Sequence, residues 1–144
     1  MGDISPLFRY FPKLGEGTYI VTSSKSEIYN CIAWAVDDEN NWWWPTVGDY
    51  WPDNAPRDHT IEAFVIAYET LGFSVCETGD IERDTDKIVI YADSDGPQHA
   101  AKQLKDGRWA SKLGEFEDII HAKPEDIECD LYGAIAVYMK RPNR

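Results

Sequence analysis

The apolar positions along the chain recur with two different periods, and each period predicts its own kind of element. Ile61, Phe64, Val65, Tyr68 and Leu71 follow the three-and-four spacing of a helix with one buried stripe, which predicts a helix over 60–71. Asp58 or Thr60 is available to cap it, and Gly72 to end it. The same spacing over a shorter stretch, at Ile28, Cys31, Ile32 and Ala35, predicts a helix over 27–36 with Ser23, Ser24 and Ser26 as N-cap candidates. Compact apolar and β-branched runs predict strands over 18–22, 73–76, 87–92 and 133–140. Residues 99–104 and 109–113 flank Lys105-Asp106-Gly107-Arg108, whose Asp-Gly pair supplies the positive φ that a hairpin turn requires. Residues 77–86 read as a charged loop and 114–124 as an acidic loop or short helical stretch. Pro45 disfavours continued helix after Trp42-Trp43-Trp44. Helices come first and an antiparallel sheet follows, which is an α+β order.

Composition narrows this picture. A chain of 144 residues fits one domain, 1–144, and 43% hydrophobic content with 13% aromatics is enough for a packed core. The net charge of −12 opposes phosphate backbones and anionic headgroups, so neither nucleic acid nor a membrane surface is expected as partner. The N-terminal MGDISPLFRY has no charged head followed by an apolar run, and a cytoplasmic location is expected. Cys31, Cys76 and Cys129 are odd in number and include no C-x-x-C pair, which argues against a disulfide scaffold. His59, His99 and His121 have no ligand spacing, and the twelve-residue count from Asp93 ends at Leu104, where a calcium loop needs a bidentate Glu. No metal and no other cofactor is expected. The oligomeric state is not legible.

Candidate chemistry centres on Cys31. A thiol at a helix start gains thiolate character from unpaired N–H groups, and His99, opening a predicted strand, is the candidate base. The plain alternative makes Cys31 a small core residue and His99 a surface turn residue. The Cys31 backbone N–H is the natural oxyanion donor, with the Tyr29 and Asn30 side chains as candidates to sit beside it, although Asn30 serves equally as a cap. Trp43 and Trp44 are candidates for a substrate-binding wall. A core lid packed under Trp51 and Tyr50 is the favoured role for at least two of the three adjacent rings.

Tyr29-Asn30-Cys31-Ile32-Ala33-Trp34-Ala35, and Gln98-His99-Ala100-Ala101-Lys102-Gln103-Leu104 with Asp106-Gly107-Arg108-Trp109, resemble the Cys-helix start and the His strand with its partner in the papain-like superfamily, particularly its NlpC/P60 and CHAP branches. The chain as a whole is similar to a family of small uncharacterised bacterial proteins carrying Y-N-C-I-A-W-A, W-W-W-P and H-A-A…D-G-R-W-x-S-K-L-G segments, here residues 29–35, 42–45 and 99–114. The superfamily resemblance implies a papain-like α+β core with N-terminal helices packed on an antiparallel sheet. It also implies a third polar group that orients the His99 ring. With a two-residue turn His99 faces Gly114, with Lys112 and Phe116 on the diagonals; with a bulge at Gly107 it faces Leu113, and Ser111 and Glu115 become the diagonals. Ser111, Glu115 and the nearby Asp118 are the candidate orienters. The expected function is a thiol hydrolase or amidase acting on an amide bond of a peptide or glutamine-like group, with a peptide or protein as substrate. The alternative is a non-catalytic acidic interaction or inhibitor protein that binds a basic partner.

Overall fold

The computed structural model describes residues 19–23, 30–38, 40–112, 118–129 and 132–142. The cap candidates Ser24 and Ser26 and the site candidates Tyr29 and Glu115 lie outside the described residues.

Seven strands form one antiparallel sheet: β1 (Tyr19–Ser23), β2 (Ser74–Cys76), β3 (Thr85–Asp93), β4 (Gly96–Gln103), β5 (Trp109–Lys112), β6 (Asp118–His121) and β7 (Ala134–Pro142), in the spatial order β1-β6-β5-β4-β3-β7-β2. Among the described residues, two helices lie between β1 and β2, α1 (Cys31–Trp34) and α2 (Ile61–Glu69). A 3₁₀ turn, Pro124–Ile127, follows β6. Among the described residues no helix is long and apolar enough to cross a membrane.

This architecture corrects the papain-like expectation. The sheet spans the chain from β1 to β7, a strand precedes both helices, and the helices have four and nine residues. Among the described residues, an N-terminal helical layer packed on a C-terminal sheet is not seen. Within 27–36 the helix starts only at Cys31, because Asn30 caps it through Oδ1, which accepts from the Ala33 N–H at 3.1 Å. The longer predicted helix forms as α2. Thr60 Oγ1 caps it, accepting from the Ala63 N–H at 3.1 Å, and Gly72 follows its end at φ +95°. Its buried stripe is Ala63, Phe64, Ala67 and Tyr68, rotated from the predicted one so that Ile61 and Val65 are half-buried.

Both sheet faces are covered, which explains why the central run of β3 is apolar without alternation. On one face Ile88, Ile90, Ala100 and Met139 meet Ile32 and Ala33 of α1, Phe64 and Tyr68 of α2, and the rings of Trp43 and Trp51. On the other, Val89, Tyr91, Ala101, Trp109 and Ile119 pack with Ile127 and Tyr132. The Tyr91 hydroxyl donates to the Pro124 carbonyl at 2.6 Å, tying the 3₁₀ turn over this second layer.

The β4–β5 turn takes the bulged form. Gly107 has φ +92°, Leu104 N–H donates to the Arg108 carbonyl at 2.7 Å, and Lys102 pairs with Ala110 and Gln103 with Trp109. That register sets which side chains share a face near the candidate site.

Candidate functional site

Cys31 opens α1, and Asn30 holds that helix start in place. Besides capping Ala33, Asn30 Oδ1 accepts from the Trp43 N–H at 3.1 Å, and its Nδ2 donates to the Trp43 carbonyl at 2.6 Å. Trp43 is buried, stacks on Tyr68 at 6.1 Å and donates from Nε1 to Asp38 at 2.8 Å. Tyr68 in turn donates its hydroxyl to the Ile32 carbonyl at 2.8 Å. Trp43 is therefore part of the packing beneath the cysteine. Trp44 is half-buried, edge-on to Phe64 at 5.6 Å and tilted on His59 at 5.2 Å.

The sulfur of Cys31 is 5% exposed as a residue, and burial pushes the thiol up to about 11. The N–H groups of Ala100, Ile32 and Cys31 itself, and the charge of Lys112, oppose that rise without cancelling it. The thiolate character expected at a helix start is thus overridden by desolvation, and the resting group is a neutral thiol.

His99 follows Gln98 on β4 and is fully buried. Its ring stacks on Tyr132 at 4.0 Å with 6° between the planes and is tilted on Tyr91, its cross-strand partner, at 5.3 Å. Among the described residues neither ring nitrogen has a hydrogen-bond partner. Burial, with the positive charge of His121 as a lesser cause, holds the ring well below the usual histidine range, so it is neutral. The residue after it, Ala100, turns its side chain into the helix-side core, and its backbone N–H is among the groups that oppose the rise of the Cys31 thiol. Cys31 and His99 consequently flank one short piece of β4 backbone, yet no hydrogen bond joins them. Tyr132 links the two electrostatically: it stacks on His99, and its own hydroxyl is pushed far up by burial and then by the charge of a Cys31 thiolate.

Ser111, the candidate orienter, lies on β5 and is bonded elsewhere. Its Oγ lies 2.8 Å from His121 Nε2, while His121 Nδ1 lies 2.8 Å from the Lys123 carbonyl oxygen. A carbonyl only accepts, so Nδ1 carries the hydrogen and Ser111 donates to Nε2. The His121 ring is shifted below the usual histidine range by burial, against the opposing pull of the Lys123 carbonyl and Asp126. Asp118 begins β6, where its backbone pairs with Lys112 and with Ser23.

Sequence reasoning missed His121, Tyr132 and Lys112 as members of this buried cluster. His121 meets Ser111 only across the β5–β6 ladder, in which Ser111 opposes Ile119 and Trp109 opposes His121. No spacing in the chain announces that diagonal. Among the described residues no group of three His, Cys, Asp or Glu side chains could hold a metal ion.

The chain belongs to the family described as Domain of unknown function (DUF7689), whose model matches residues 20–140. No curated protein and no solved structure matches it.

Proposed function

We propose that this DUF7689 chain is a thiol hydrolase or amidase acting on an amide bond of a peptide or glutamine-like group, with Cys31 as nucleophile and His99 as base. The observation that supports the reading is the pair of unpartnered nitrogens on the fully buried His99 ring, one residue from Ala100, which shares the helix-side core with Cys31. A buried imidazole without partners costs stability, and such groups concentrate where chemistry requires them.

The neutral pair defines the chemistry. His99, whose ring lies across the β4 backbone with no hydrogen bond to the thiol, takes the Cys31 S–H proton through an intervening water as the sulfur attacks the carbonyl carbon. A C–S bond forms, and the electron pair of the C=O bond moves to oxygen. The intermediate collapses with loss of the C–N bond, and the imidazolium returns its proton to the departing amine. A water then gives its proton to His99 while its oxygen attacks the thioester, the C–S bond breaks and the thiol is restored. Keeping both groups neutral at rest protects the sulfur from oxidation, because the thiolate is the reactive form.

The pH profile of Cys31 alkylation by iodoacetamide, read by peptide mapping with Cys76 as internal reference, tests the base. A thiol acting alone slows by about tenfold for each pH unit below about 11. With His99 as base, the wild-type rate is expected to flatten between pH 7 and 10 at a level independent of hydroxide, and His99→Gln to abolish that plateau. A single limb rising toward pH 11, identical in both proteins, would sink the hydrolase reading and leave the acidic interaction protein.

A further inference from the structure

We infer that a cleft on the sheet face opposite α1 and α2 is a docking site for an arginine side chain on a basic segment of a partner protein. The cleft stands apart from Cys31, which belongs to the helix-side layer, whereas Trp109 of the second layer forms part of the cleft floor. Its volume is about 330 Å³. Gln103 of β4 and Tyr138 of β7 complete the floor. Residues 79–81, in the loop after β2, supply one wall, and Pro124 and Glu125 of the 3₁₀ turn supply another. Both walls are held in place by bonds within the protein. A Cβ added at Gly79 would stand 2.7 Å from Cε1 of Tyr138 and 2.9 Å from Cζ2 of Trp109, so the loop backbone lies directly on the two rings. Gln103 Nε2 donates to the Gly79 carbonyl at 2.6 Å, and the buried Lys87 ammonium donates to the Thr78 carbonyl at 3.0 Å while pairing with Glu82 at 2.6 Å. On the other side the Tyr91 hydroxyl holds the Pro124 carbonyl. A site formed in advance loses little entropy when it is filled.

The lining selects a cation carried on an apolar stem. Ile81 is 56% exposed at the cleft, a large apolar surface against which the methylenes of a long side chain can pack. Tyr138 is half-buried, and its ring attracts a cation placed over it. Asp80 and Glu125 come from different walls and are exposed, and among the described residues neither is held in an ion pair. The Tyr138 hydroxyl is raised above the usual tyrosine range by burial first and then by Glu125, Glu128 and Asp80, so these carboxylates act together at the ring. Lys123 is the cation of the lining, set against Asp80 and Glu125. Arginine suits this arrangement better than lysine, because a planar guanidinium stacks on an aromatic ring and keeps donors free for two separate carboxylates. The net charge of −12 draws a basic segment in and repels a second copy of this chain, so a basic partner is the occupant that the charge favours.

The experiment titrates acetylated and amidated Gly-Gly-Arg-Gly-Gly into the isotope-labelled full chain and follows the amide NMR spectrum, with lysine and citrulline versions of the peptide as comparisons. The arginine peptide is expected to give saturable shifts at Gly79, Ile81 and the Gln103 side-chain amide. Lysine in its place should bind about threefold more weakly, and citrulline, which keeps the shape without the charge, should not bind. Asp80→Asn combined with Glu125→Gln should weaken the arginine peptide at least about fivefold, and both positions are exposed, so the fold survives the change. Tyr138→Leu should weaken it about threefold, while Tyr138→Phe, which keeps the ring, stays at the wild-type value. Glu62→Gln combined with Glu69→Gln makes the same charge change on α2, over the other sheet face, and should leave binding unaltered. Equal weakening by that α2 pair would reveal diffuse attraction to an acidic surface and overturn the site. Binding of citrulline or lysine as tight as that of arginine, or shifts that never saturate, would overturn it too. Cys31 and His99 take no part in these measurements, so this inference and the hydrolase reading fail separately.

Discussion

Asn30→Ala is expected to lower the stability of the fold by about 3–5 kcal/mol. The side chain is buried and makes three hydrogen bonds: it accepts from Ala33 N–H and Trp43 N–H and donates to the Trp43 carbonyl. Alanine removes the cap from α1, about 1 kcal/mol, and leaves three backbone groups unpaired away from water, each at about 1–3 kcal/mol before relaxation. The consequence extends past a four-residue helix, because the Trp43 ring seated by those bonds packs against Tyr68, Tyr50 and Trp51. Urea denaturation should show a lowered midpoint at unchanged slope. Asn30→Asp keeps an oxygen for both N–H groups and loses only the donor to the Trp43 carbonyl, so it should fall between wild type and alanine. A loss under about 1 kcal/mol for alanine would contradict the bridging role and return Asn30 to the list of substrate contacts.

His99→Phe is expected to do the opposite and raise stability at pH 7 by about 1–3 kcal/mol, since it replaces two unpartnered buried nitrogens with an apolar ring of similar shape that can still stack on Tyr132. Its effect grows in acid, and the sign follows from proton binding. The folded His99 ring is held well below 6.5, so beneath about pH 6.5 the unfolded chain binds a proton that the folded chain refuses. Stability is therefore fully present above about pH 6.5 and is lost as pH falls, at up to about 1.4 kcal/mol per pH unit for one histidine. His121 is shifted the same way and adds its own loss. His99→Phe should remove the His99 share of the acid slope and leave that of His121. On the alkaline side the signs reverse. The Cys31 thiol is raised from 9.0 to about 11, so the unfolded chain releases that proton first and stability declines above about pH 9. Unfolding free energies at intervals from pH 5 to 10 should trace a dome with its top between those limits. A phenylalanine variant less stable than wild type at pH 7 would mean that the ring nitrogens are satisfied in solution. A gain in stability with loss of the alkylation plateau would be the stability–function trade expected of a catalytic base.

The parts of this fold legible in advance are those whose causes lie within a few residues. The α2 helix follows from its own periodicity, Thr60 and Gly72, and the β4–β5 hairpin from Asp106-Gly107. The continuous apolar run of β3 announces a strand covered on both faces. By contrast β6 is the four residues DIIH, too short to show a period, and it exists because β1 and β5 pair with it from either side. The papain-like expectation failed for a related reason. Local resemblance around Cys31 and His99 carries no information on how much sheet surrounds them, and seven strands with two short helices is a different arrangement.

By itself the sequence determined that Cys31 lies in the early part of a short helix and that His99 lies on a strand followed by a tight hairpin. Tertiary structure decided which of these groups meet. A strand's side chains alternate, so the faces taken by His99, Ser111 and Lys112 depend on a count of residues through each ladder, and one irregularity reverses it. Two such irregularities act here: the bulge at Gly107, and the shift between Tyr91 and Ala92 that leaves Gln98 unpaired between Pro97 and His99. The bond between Ser111 and His121, the stacking of His99 on Tyr132 and the neutrality of the Cys31 thiol all follow from that count and from burial. Burial belongs to the assembled sheet, because desolvation is produced by every layer that excludes water and by no single segment of the chain.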